Sequence, residues 1–165
     1  VDFTFTNSTD TRARDMDFTA ALVQVELGYI VPAASPIAAV GDVDQPGGRV
    51  GVSQGSTSQG TLGHQFKSAV LVPAPSLKQA LELLAQRQID AFATNKGILF
   101  EMSDEIAGLR ILEGRWGLEN LAIAIPKGRA AALPYLQQFA QEQRASGDLQ
   151  AAIARAGLRG TVPIN

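Results

Sequence analysis

The residues best suited to hold a ligand lie between positions 49 and 62. Val50-Gly51-Val52 predicts a short buried strand, Gln54-Gly55 a turn, and Ser56 or Thr57 the cap of a helix running toward Phe66. A strand that feeds a glycine turn and a hydroxyl-capped helix leaves backbone N–H groups pointing out of the sheet. The helix dipole adds partial positive charge there, so the stretch suits a carboxylate or a phosphate. The competing reading is a plain strand–turn–helix corner whose hydroxyls only cap the helix, and polar groups elsewhere must decide between the two.

Composition narrows the classes. The chain has 165 residues, 45% of them hydrophobic, enough for one or two small domains with a packed core. Charged residues make up 18% and the net charge is −2, which argues against a nucleic-acid surface. There is no cysteine, hence no disulfide or thiolate ligand, and the single histidine, His64, gives no basis for a multi-histidine metal site or a Ser-His-Asp triad. We expect no metal and no cofactor. No apolar run reaches the roughly 18 residues of a membrane-spanning helix, and no signal peptide is visible. The alternating Val1-Asp2-Phe3-Thr4-Phe5-Thr6 opens inside a strand pattern, as a segment of something longer would.

The elements that must position a site follow in order. A strand over residues 1–6 leads into Asn7-Ser8-Thr9-Asp10, whose side chains can cap a short helical turn through Arg12 and Arg14. Asp17-Phe18-Thr19 reads as extended. Residues 28–31 read as a strand closed by Pro32, and residues 35–48 as a loop with one helical turn near 37–43. An apolar strand at 69–72 precedes the clearest helix, capped by Ser76, with Leu77, Ala80, Leu81 and Leu84 on one face. Residues 89–94 read as a buried strand, Asn95-Lys96-Gly97 as a polar turn, and 98–102 as the start of the next helix. Strands at 109–112 and 121–125 follow, the last stopped by Pro126-Lys127-Gly128. The tail is two helices broken at Ser146-Gly147-Asp148 and ended by Gly157. This alternation predicts an α/β architecture with a mostly parallel sheet, in which ligands sit at the carboxyl ends of strands. Residues 54–57, Asn95 and residues 7–12 all fall at such ends, which favours the ligand-binding reading.

Taken in order, Thr9-Asp10-Thr11-Arg12, Asp17-Phe18-Thr19, the stretch 49–57, Ile89-Asp90-Ala91, Ala124-Ile125-Pro126-Lys127-Gly128 and Ser146-Gly147-Asp148 resemble the amino-acid-type (family 3) solute-binding proteins of ABC transporters. The resemblance covers essentially the whole chain. It implies a type II periplasmic-binding-protein-like fold, two α/β lobes joined by two hinge strands, with ligand held in the interlobe cleft. It places hinge strands at 22–26 and 119–123, lobe 2 at 27–118, and an incomplete lobe 1 at 1–21 and 124–165. A complete member would begin with two further strand–helix units of lobe 1, about 60 residues at roughly 30 per unit.

The resemblance also implies roles. Arg12 matches the arginine that grips the ligand's α-carboxylate, which a guanidinium does through two parallel hydrogen bonds. Thr57, with Gly55 and Ser56 before it, matches the lobe 2 helix start that meets the same carboxylate. Asn7 matches a position that offers an oxygen to the ligand's amino group. Asn95 departs from the pattern, since amino-acid binders typically carry an aspartate there, paired with the ligand's ammonium. An amide has no charge to offset a buried ammonium. The expected ligand is therefore an organic acid rather than a standard amino acid, unless Glu119 near the second hinge supplies the missing charge. Ala20-Ala21 departs as well, where the family often has Pro-Tyr entering the hinge. Trp116 is expected to be buried at the lobe surface, and His64 and the acidic group Glu101, Asp104 and Glu105 to be solvated.

The function implied is an extracytoplasmic, periplasmic solute-binding component of an ABC transporter, made as a precursor with a signal peptide. It captures a small carboxylate-bearing solute, presents it to a membrane permease, and is not an enzyme, with no catalytic residues and no nucleic-acid partner. The alternatives are a cyclohexadienyl or arogenate dehydratase-like enzyme with Glu119 as its acid, and a ligand-sensing input domain of a receptor or kinase. If the first units of lobe 1 are absent from the protein, the open strand edge predicts a homodimer through the incomplete lobe.

Overall fold

Ser56, Ser76 and Asn95 each stand directly before a helix, at or just after the end of a strand, and each caps that helix. The computed structural model describes residues 2–164, so Val1 of the first predicted strand lies outside the described residues. In chain order the strands and helices are β1 (Thr4–Asn7), β2 (Met16–Phe18), β3 (Val23–Pro32), β4 (Arg49–Ser53), α1 (Thr57–Gln65), β5 (Val70–Ala74), α2 (Leu77–Ala85), β6 (Ala91–Asn95), α3 (Lys96–Glu105), β7 (Leu109–Ile111), β8 (Gly117–Pro126), α4 (Leu133–Ser146), α5 (Asp148–Arg155) and β9 (Thr161–Val162). Tight helical turns lie at Arg12–Arg14, Val40–Asp42 and Ala130–Ala132. No described helix is long and apolar enough to cross a membrane. The chain forms two compact units: Leu27–Gly117, and the residues up to Glu26 together with those from Leu118 onward.

In the unit Leu27–Gly117, β4 lies between β5 and β6 and is parallel to both, with Val50 opposite Leu71 on one side and Ala91 on the other. Residues Leu27 to Ile30 of β3 pair antiparallel with β6, and the end of β3 pairs antiparallel with β7. Alternate residues feed two cores, as the two-residue strand period requires. Tyr29, Val31, Val50, Val52, Ala91 and Ala93 pack with Leu62 of α1. Ile30 and Phe92 pack with Ala80 and Leu84 of α2 and Leu99 and Met102 of α3. Both faces are covered, which is why these strands read as unbroken apolar runs. Gly51 makes room for the second core: a Cβ there would lie 2.5 Å from Ile89 Cδ1 and 2.8 Å from Phe92 Cδ2.

Charged side chains fasten the same unit. Asp90 accepts hydrogen bonds from the Arg49 backbone N–H (2.8 Å), from Arg49 Nε (3.1 Å) and from Arg49 Nη2 (2.8 Å). Asp44 accepts from three consecutive backbone N–H groups, those of Lys67, Ser68 and Ala69, at 2.7–2.9 Å. Both carboxyls are held below the usual aspartate range, Asp90 mainly by the Arg49 side chain and Asp44 mainly by the N–H groups of Ala69 and Lys67.

In the other unit, β8 is flanked by β1 and β2, both antiparallel to it, so that Ala124 lies opposite Thr4 on one side and Phe18 on the other. The start of β3 pairs antiparallel with β9. Leu22, Val23, Val25, Ile123 and Ala140 form the core, covered by Leu136, Leu149 and Ile153 from α4 and α5. Among the described residues β1 pairs with β8 alone, and Phe3 and Phe5 are exposed.

Three sequence expectations are corrected. Parallel pairing joins β4 to β5 and to β6, whereas the ladders of β1 and β2 with β8, and of β3 with β6, β7 and β9, are antiparallel. The alternation of strands with helices holds only where a helix connects the strands, and β2 runs into β3 with no helix between. The strand placed at 28–31 starts at Val23 and includes Pro32, which sits at its end, where a missing N–H is tolerated. Asn95-Lys96-Gly97 is not a turn, because Asn95 closes β6 and α3 begins at Lys96.

Gly51→Ala is expected to lower stability by about 1–3 kcal/mol, the usual cost of overpacking a filled core, and denaturant titration would measure it. A carboxyl whose folded-state pKa is depressed contributes stability above the ordinary aspartate value of about 3.9, and that contribution disappears as pH falls through the folded value. Asp90→Asn and Asp44→Asn are therefore expected to be less stable than the parent at pH 7, with the gap closing below about pH 4. Thermal melts across pH 3–7 would fail to support this if the gap stayed constant.

Candidate functional site

Because β4, β5 and β6 are parallel, their carboxyl ends reach one edge of the unit Leu27–Gly117. Each is followed by a helix whose cap accepts from the third helical N–H. Ser56 Oγ accepts from Gln59 N at 3.1 Å, Ser76 Oγ from Gln79 N at 3.2 Å, and Asn95 Oδ1 from Ile98 N at 3.1 Å. A side-chain cap satisfies one of the several donors that a helix start leaves without an intrahelical acceptor. The edge therefore gathers three positive helix ends.

The turn before α1 is closed from both sides. Ser56 N donates to Ser53 O at 3.1 Å, and Gly55 takes φ +72°, a conformation that favours glycine. Gln59 Oε1 accepts from Gly55 N at 2.7 Å, so Gln59 both receives the Ser56 cap and reaches back to the turn. Of the residues predicted here, Gly55 and Ser56 shape the turn, and Thr57, half-buried, is the first residue of the helix. Gln59 was missed, although a serine followed three residues later by glutamine is a readable capping-box signal.

Asn95 has a double role that the sequence did not reveal. Its oxygen is taken by the α3 cap, which assigns the amide orientation and leaves Nδ2 directed away from the helix. The group offered at this position is thus a neutral donor. Beside it, the absence of a side chain at Gly28 makes room for the stem of Lys96, which comes within 3.2–3.3 Å of where a Gly28 Cβ would stand.

In the other unit Arg12 begins the tight turn Arg12–Arg14 and is fixed from both ends. Thr9 Oγ1 accepts from Arg12 N at 3.2 Å, and Arg12 Nη1 donates to Thr6 Oγ1 at 2.5 Å and to the Asn7 carbonyl at 3.3 Å. Nη1 is thereby used, while Nε and Nη2 have no partner among the described residues. Those two nitrogens form the edge that grips a carboxylate by two parallel bonds. Arg49 uses the same edge on Asp90 within this molecule. Arg14, two residues on in the same turn, is exposed. Asn7 is buried, its Oδ1 accepts from Asn120 N at 3.2 Å, and its Nδ2 donates to Glu119 Oε1 at 3.4 Å. Asn7, Arg12 and Glu119 are thus joined in one cluster at the end of β1.

The remaining candidates are structural. Trp116 donates from Nε1 to Gly28 O at 2.9 Å and lies tilted on Tyr29 with ring centres 6.1 Å apart. His64 is exposed on α1. Among the described residues no group of three or more His, Asp or Glu side chains could hold a metal ion.

No protein-family model matches the chain. The ABC transporter glutamine-binding protein GlnH of Bacillus subtilis (strain 168) is 24% identical over 139 residues, which are 84% of this chain and 50% of GlnH. The chain thus spans about half the length of that relative. The solved substrate binding protein of an amino acid ABC transporter superposes with a TM-score of 0.80 at 19% identity, over 94% of this chain and 70% of that one. A histidine kinase sensor domain with similarity to periplasmic binding proteins superposes with a TM-score of 0.80 at 23% identity, over 99% of this chain and 72% of that one. The chain has the type II periplasmic-binding-protein fold and is similar to the amino-acid-type solute-binding proteins of ABC transporters.

Ser56→Ala is expected to cost about 0.5–2 kcal/mol, the value of a hydroxyl N-cap. Amide hydrogen exchange should show the loss concentrated in the first turn of α1, and protection left unchanged there would count against the cap.

Proposed function

We propose that this chain is the ligand-binding part of an extracytoplasmic solute receptor that captures a small carboxylate-bearing solute and delivers it to an ABC permease in the membrane. The observation that carries this reading is the open Nε–Nη2 edge of Arg12, held in place by Thr6 and Asn7. In this reading Arg12 takes the carboxylate, and the start of α1 at Gly55, Ser56 and Thr57 is a further candidate group for it. The similarity to GlnH and to the amino acid transporter's binding protein supports transport as the context. We read the role as binding rather than turnover, in keeping with the similarity to binding proteins.

The finer reading concerns the ligand. Asn95 offers an N–H donor where an ammonium would need a negative charge. We therefore favour an organic acid whose second polar group is an acceptor. A sensor-domain role is the second reading, favoured by the match to the kinase sensor domain over 99% of this chain. Genes flanking the coding sequence separate the two, a permease supporting transport and a kinase module supporting sensing.

A thermal-shift screen of organic acids and L-amino acids, followed by calorimetry, tests the ligand reading. Arg12→Ala is expected to weaken binding of the preferred carboxylate by about 2–5 kcal/mol, the cost of truncating one partner of a desolvated charge pair. Unchanged affinity would remove Arg12 from the site. Shifts with L-amino acids alone would overturn the organic-acid reading and pass the ammonium-binding role to Glu119.

A further inference from the structure

We propose that the unit Leu27–Gly117 carries a second, separate site for small apolar carboxylates, at the end of its sheet opposite the capped edge. A cavity of about 460 Å³ lies there, bounded by the start of β4, the segment from Arg87 to Asp90 and the loop after β3. That volume falls within the roughly 300–1,000 Å³ of sites for small molecules. β4 runs from Arg49 at this cavity to Ser53 at the capped edge, so the two sites are at opposite ends of the same strand.

The cavity is preformed. Its apolar wall comprises Pro32, Pro36, Ile37, Pro46 and Ile89. Arg110 Nη2 donates to the carbonyls of Ser35 (2.9 Å) and Ile37 (2.6 Å), and the Asp44 carboxylate ties the other arm of the loop to residues 67–69. These two side-chain anchors hold a loop whose own short turn has no buried residue. The charges that face the cavity are, with one exception, already engaged. Arg49 and Asp90 neutralise each other, and Asp42 accepts from Ala39 N at 2.9 Å. The exception is Arg87. It is exposed, its guanidinium has no partner among the described residues, and its backbone sits at φ +55°, the one positive φ recorded outside glycine. The Arg87 carbonyl accepts from Arg49 Nη2 at 2.8 Å, which holds that backbone conformation and leaves the side chain at the cavity. An unengaged guanidinium beside an apolar wall is complemented by a ligand with a compact apolar body and one carboxylate.

Backbone NMR of the ¹⁵N-labelled protein, titrated with phenylacetate and hexanoate and with phenylacetamide as the neutral counterpart, tests this. The expected result is a saturable shift of the Gly47, Gly48 and Arg87 amides by both acids, retained in Arg12→Ala, which keeps the outcome independent of the proposed transport site. Arg87→Gly suits the positive φ and keeps the carbonyl, so it should fold. It is expected to weaken acid binding about three- to tenfold, the scale of a partly exposed ion pair. The proposal is overturned if neither acid moves those amides, if Arg87→Gly binds as well as the parent, or if the amide binds as well as the acid.

Discussion

The capped edge depends on the register of β4 against β6, and that register is fixed at the opposite end by Arg49 and Asp90. Asp90 N donates to Arg49 O at 2.8 Å, and the Asp90 carboxylate receives the Arg49 backbone N–H and two side-chain N–H groups in return. Four hydrogen bonds thus join the strands just before Val50 meets Ala91. A slip of one residue would turn Phe92 out of its core and bring Ala91 and Ala93 in, since neighbouring residues face opposite sides. Both side chains are about 40% exposed, so the attraction itself is worth little. What the pair contributes is specification. Gly51, whose missing side chain admits Ile89 and Phe92, adds a steric reason for the same alignment.

Given that register, the three helix starts at the other end are a consequence of chain direction, and their chemistry is decided by the caps. Serine and asparagine serve the helix about equally, because each offers an oxygen to the third N–H. They differ in what remains. Asparagine spends its oxygen and leaves an NH₂ group, whereas aspartate would cap as well and leave a negative oxygen. The identity of residue 95 is thus nearly neutral for folding and decisive for the polarity of the edge.

Much of this was legible in the sequence where the signal is local. Ser76 read correctly as a cap and Gly55 as a turn residue, and the structure decides the two open alternatives, Ser56 rather than Thr57 capping α1 and Thr9 accepting from Arg12 N, because capping is set by three or four consecutive residues. The apolar face of α2 was read from its spacing, although Leu77 proves partly exposed and Ala80 and Leu84 carry the burial. Pairing direction was not legible. Whether β1 and β2 run antiparallel to β8 depends on contacts more than 100 residues apart, of which the local pattern holds no trace. The resemblance pointed to Arg12 rather than Arg14, but the hydrogen bonds from Arg12 Nη1 to Thr6 Oγ1 and to the Asn7 carbonyl needed coordinates.

The cluster at the end of β1 shows how one buried amide can aim a charge it does not itself carry. Asn7 is 8% exposed, and a buried amide is costly unless its polar atoms are engaged. Its Oδ1 is fixed by Asn120 N and its Nδ2 by Glu119, and Asn120 is itself braced by Gln24 at 2.8 Å. The position of the Asn7 carbonyl is therefore set by β8, and that carbonyl in turn receives Arg12 Nη1. Thr6 accepts from the same nitrogen, so two acceptors on adjacent residues hold one end of the guanidinium and leave its other edge without a partner among the described residues. A guanidinium fixed at one end loses less freedom when a carboxylate arrives at the other, which is how preorganisation becomes affinity. If Arg12 holds a carboxylate as proposed, replacing Asn7 would act on that ligand through Arg12, by loosening the hold on its guanidinium with every atom of the Nε–Nη2 edge still present.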